Sequence, residues 1–71
     1  MSQKNSADAV LAWLWELSDG TRAEVVERTA APQWELRVTK NGVVIEHERC
    51  DSFPALIAAS TAARMRADAQ N

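Results

Sequence analysis

The chain has 71 residues, a formal charge of −2 and a single cysteine, Cys50. A domain of that size buries only about 60% of the surface its unfolded form exposes, so it is marginal alone and self-association is expected. The slightly acidic balance gives no general field for phosphate backbones or anionic lipid, one cysteine closes no internal disulfide, and no apolar run is long enough to span a bilayer.

The start of the chain, Met1-Ser2-Gln3-Lys4-Asn5-Ser6, lacks the apolar centre of a signal peptide, which makes the cytoplasm the expected location. A single domain over 1–71 is expected, with polar frayed ends at about 1–5 and 68–71. The first predicted element is a helix from about Ala7 to Ser18. Ser6 is placed to cap it, Asp8 lies near the positive end of its dipole, and Asp19-Gly20 closes it. Val10, Trp13, Leu14 and Leu17 fall at helical spacing, and Leu11 and Trp15 widen the stripe.

Thr21 to Thr29 is rich in β-branched residues and is predicted as the first strand, with Ala30-Ala31-Pro32-Gln33 as the connection that follows. Two alternating segments come next, Trp34 to Thr39 and Val43 to Arg49, joined at Asn41-Gly42. Asn-Gly between such segments signals a hairpin, because a type I′ turn needs positive φ at both central residues. A two-residue turn with uninterrupted pairing sets Val38 against Ile45, Leu36 against His47 and Trp34 against Arg49 on one face, with Ala23 and Val25 extending it. Thr39 with Val44, Arg37 with Glu46 and Glu35 with Glu48 then form a charged, solvated face. After the hairpin, Asp51 or Ser52 caps a helix running from Pro54 to about Ala67. Phe53, Leu56, Ile57, Ser60, Ala63 and Ala67 form its inner side, while the dipole alone accounts for Arg64 and Arg66. The expected architecture is α+β, a two-layer α-β-β-β-α domain with a three-stranded antiparallel sheet and both helices on one face.

No arrangement of residues specifies a reaction. Cys50 near a helix start, with His47 and Asp51 nearby, has the ingredients of an activated thiol, but His47 and Cys50 point to opposite sides of an extended strand. A single histidine without a companion at ligand spacing makes no specific metal site, so a partly buried, hydrogen-bonded His47 is expected instead. Glu24, Glu27, Glu35, Glu46 and Glu48 alternate with arginine, as on a solvated sheet face. No cofactor, metal site or catalytic residue is expected. Trp34 opposite Arg49 suggests a cross-strand cation–π pair. On the first helix, Trp13 and Trp15 point about 200° apart, so only one can sit at the centre of a buried stripe. Trp13 fits the core; Leu11 and Trp15 form a flanking patch, the candidate interface with a second copy or another protein.

The order helix, strand, strand, strand, helix resembles that of double-stranded RNA-binding domains, which are of about this length. That resemblance implies recognition through basic residues at the start of the second helix. Here that helix begins Asp51-Ser52-Phe53-Pro54-Ala55, without lysine or arginine, so no functional residue carries over. The hairpin and last helix are also similar to those of many short bacterial proteins, a likeness too general to name a family. The expected function is a small soluble interaction or structural module without catalytic activity, which forms a homodimer or binds another protein. One alternative is nucleic-acid binding through Arg64, Arg66 and neighbouring basic residues; another is a thiol-dependent or redox-sensitive protein centred on Cys50.

Overall fold

The computed structural model describes residues 9–70. Four strands, β1 (Ala9–Glu16), β2 (Thr21–Glu27), β3 (Trp34–Lys40) and β4 (Val43–Cys50), precede one helix, α1 (Phe53–Gln70). The strands form an antiparallel meander in the order β1-β2-β3-β4. The α+β class therefore stands, but with four strands and one helix. Residues 1–8, including the expected cap Ser6 and the start of the expected first helix, lie outside the described residues, as does Asn71.

The largest correction concerns 9–16, which is a strand. Its pairing with β2 skips Leu11 and Leu14, at two register shifts three residues apart. Each extra residue advances the strand without reversing its faces, so Ala9, Ala12 and Trp15 lie on one side and Val10, Trp13 and Glu16 on the other. A face that repeats every three residues imitates helical spacing. Asp19-Gly20 accordingly belongs to a strand connection: the Gly20 amide donates to the Leu17 carbonyl at 3.1 Å, and Asp19 accepts from the Thr21 amide at 3.0 Å. Gly20 has φ +91°, which L side chains rarely adopt, and a Cβ there would displace the Asn41 side chain, so glycine is favoured where the two turns meet.

The Asn41-Gly42 turn forms as expected, with φ of 53° and 86°. Lys40 pairs with Val43 and Thr39 with Val44, but then the register slips and Val38 faces Glu46. Ile45 is the extra residue. From there to the end of β4 the expected faces are exchanged: Glu46, Glu48 and Cys50 share the side of Val38, Leu36 and Trp34, while His47 and Arg49 share the side of Arg37 and Glu35.

Helix α1 lies over β2, β3 and β4 on the first of these sides. Ser52 is its cap, accepting from the Ala55 amide at 3.2 Å. Leu56, Ser60 and Ala63 are buried as the spacing predicts, against Ala23, Val25, Leu36, Val38 and Cys50, whereas Phe53 and Ile57, expected on the same inner side, lie on its margin and are exposed. Trp34 stands opposite Cys50 and meets the Phe53 ring edge-on at 5.4 Å, so the expected Trp34–Arg49 pair does not form. The other side of the sheet has no helix over it among the described residues.

Candidate functional site

The side of the sheet opposite the helix holds one deeply buried acid. Glu35 lies mid-strand in β3 and is only 5% exposed, although the alternating pattern placed it on a solvated face. Arg37 Nε donates to Glu35 Oε2 at 2.9 Å, and His47 Nδ1 lies 3.8 Å from the same oxygen. Arg28 Nε and Arg49 Nε lie 3.5 and 3.7 Å from Oε1. Burial pushes the Glu35 carboxyl up, but the Arg37 hydrogen bond and the charges of Arg37, His47 and Arg49 outweigh it and hold the group below the usual carboxylate range.

These bases come from three places. Arg28 follows β2 and is fixed by its own loop, donating from Nη1 to the carbonyls of Ala30 at 3.2 Å and Pro32 at 2.7 Å, across the cis Ala31–Pro32 bond. Arg37 shares a strand and a face with Glu35. His47 and Arg49 reach this side only because Ile45 is extra; uninterrupted pairing would have brought Glu46 and Glu48 here. His47 is thus well exposed beside Glu35, not half-buried against Leu36 as expected. The slip changes an acidic surface into a basic one. A bulge leaves little trace in an alternating sequence, and the slip occurs inside the apolar run Val43-Val44-Ile45, where either register keeps apolar residues near the turn.

The tryptophans exchange roles. Trp15 lies on the helix side and its indole N–H points at Ser60, 3.0 Å from Oγ and 3.3 Å from the carbonyl oxygen. Trp13, expected in the core, is 56% exposed on the opposite face, where the Arg22 guanidinium sits 3.8 Å from the ring centroid. Leu11, the other candidate interface residue, is exposed at the first register shift of β1.

Cys50 is buried on the helix side, its Sγ 3.7 Å from the Glu48 carbonyl oxygen. Burial, with help from Glu48 and Asp51, pushes the thiol up, the opposite of what an activated nucleophile needs. Arg66 pairs with Glu46 and Arg64 with Asp68, so the helix cations have local counter-charges. No group of three or more His, Cys, Asp or Glu residues among those described could hold a metal ion. No described helix is long and apolar enough to cross a membrane. Comparison of the chain with models of protein families, curated proteins and solved structures finds no match.

Proposed function

We propose that this protein is a small, non-catalytic interaction module that associates with a second copy of itself through the β1 side of its helical layer. The supporting observation is an imbalance of apolar surface. Leu36, Leu56, Val26 and Val38 are the large side chains fully buried, whereas nine large apolar residues of the described chain are exposed. Single exposed apolar residues are ordinary, but contiguous ones mark contact surfaces.

Their placement favours one strip. Helix α1 lies over β2, β3 and β4 and reaches β1 through the Trp15–Ser60 bonds. Arg66 points toward β4, where it meets Glu46. Ile57 precedes Arg66 by nine residues, which puts it about 180° away on the helix, toward β1. We assign to this strip Leu11, exposed at the first shift of β1, and the half-buried Trp15, with Ile57 and Phe53 on the helix flank; a symmetric second copy would cover it. Among the described residues both edges of the sheet also lack a neighbouring strand, but the two shifts in β1 and the one in β4 twist them away from regular strand addition.

Sedimentation velocity at micromolar concentration tests this reading. A dimer is expected, and Leu11→Glu should weaken it by about tenfold or more, since it buries a charge at the interface. Trp15→Ala should weaken it as well. A monomer throughout, unchanged by either substitution, would overturn self-association.

A further inference from the structure

We propose that the side of the sheet opposite the helix carries a phosphoryl-binding site, formed by Arg28, His47 and Arg49 with Glu35 as the residue that positions them. It lies on the opposite side from the self-association strip and does not depend on it. Charge is the first argument. The chain is acidic overall and has eight lysines and arginines, yet Arg22, Arg28, Arg37 and Arg49 gather on this one face; Glu16 pairs with Arg22 at 3.3 Å and Glu24 stands opposite Arg37, which leaves Arg28 and Arg49 converging with Arg37 on Glu35. Three guanidinium groups and a histidine surround a single carboxylate. One hydrogen-bonded arginine, Arg37, suffices to compensate a buried glutamate. Gathering further cations costs free energy through mutual repulsion, and a bound anion would relieve it.

Geometry is the second argument. Glu35 is buried beneath the cluster, while Arg49 and His47 have side-chain exposures of 56% and 61%. They are two residues apart on β4 and so share a face. At 3.7 and 3.8 Å from Glu35, neither makes a hydrogen bond to it, and their donors can serve a ligand. Arg28 Nε is buried without a hydrogen-bond partner and adds fixed positive charge beneath them. A phosphoryl group matches this arrangement because its charge and several acceptor oxygens suit a guanidinium fork and an adjacent imidazole.

The test is an NMR titration of the uniformly ¹⁵N-labelled full chain with inorganic phosphate, at pH 7 and constant ionic strength maintained with chloride. Saturable shifts are expected at the Arg49 and His47 side chains and at neighbouring backbone amides of β3 and β4. Arg49→Gln should weaken phosphate binding about tenfold, as loss of a charged hydrogen bond does. His47→Gln should weaken it less, and Arg64→Gln should leave it unchanged; because all three side chains are exposed, the fold should survive each substitution. Shifts that fail to saturate, or that Arg64→Gln reduces equally, would overturn the site. A parallel titration uses a single-stranded oligonucleotide without terminal phosphates. Binding of that strand without saturable phosphate binding would assign the surface to a nucleic-acid backbone and reject the proposal.

Discussion

On the helix side of the sheet, Leu36 and Val38 meet Leu56 and Ala63, with Ala23, Val25 and Cys50 completing a small apolar core. On the other side the most buried acid, Glu35, is surrounded by Arg28, Arg37, His47 and Arg49. The first face is organised by removal of apolar area from water, which has no direction and little sensitivity to salt. The second is organised by charge, which depends on register, pH and ionic strength. Alternation along one strand supplies both, so a single shift in pairing changes the second face far more than the first.

The sharpest way to separate the two is to damage each in turn. Leu56→Ala empties a fully buried position and should cost about 3–4 kcal/mol of stability, with little change in that loss between low and high salt. Denaturant titration at two ionic strengths measures it; a strongly salt-dependent loss would mean that the faces are not independent.

Glu35→Gln should cost about 2–3 kcal/mol at pH 7, below the range for one partner of a fully buried ion pair because Arg49 and His47 remain in contact with water. Its signature is the pH profile. The folded carboxyl titrates below its unfolded value, so its stabilising contribution is present above the ordinary glutamate range, about pH 4.3, and disappears as pH falls through the lower folded value. Thermal melts should therefore show the native chain losing more stability on acidification than the variant. Parallel profiles would contradict the electrostatic account.

The smallest expected effect is from deleting Ile45. Val44 and Glu46 already face opposite sides, so joining them directly would restore regular alternation while keeping Arg49 opposite Glu35. Stability should change by less than about 1 kcal/mol, since Ile45 is exposed. Hydrogen-exchange protection of the Glu35–Arg49 pairing measures whether the register is retained.

Part of this organisation was legible from residue order. Asn41-Gly42 specified its turn because few dipeptides tolerate positive φ twice, and Ser52 with Leu56, Ser60 and Ala63 specified the last helix and its inner side. Residues 9–16 misled because Ala, Leu and Glu favour helices and the two shifts gave a three-residue repeat. Asp19-Gly20 between apolar runs was an available hairpin signal, equally compatible with a helix end. For the charged cluster the signal was weaker still: nothing local distinguishes Glu35 from Glu46 or Glu48.

The sequence by itself determined the α+β class, the Asn41-Gly42 turn, the last helix and the apolar residues beneath it, because these follow from backbone preference and short-range periodicity. Only the tertiary structure decided that 9–16 pairs as an edge strand, that Trp15 turns inward while Trp13 turns out, and that His47 and Arg49 join Glu35. Those outcomes depend on where an extra residue is inserted between paired strands. The faces it exchanges are fixed by partners distant in the chain, whose cost and gain no local pattern records.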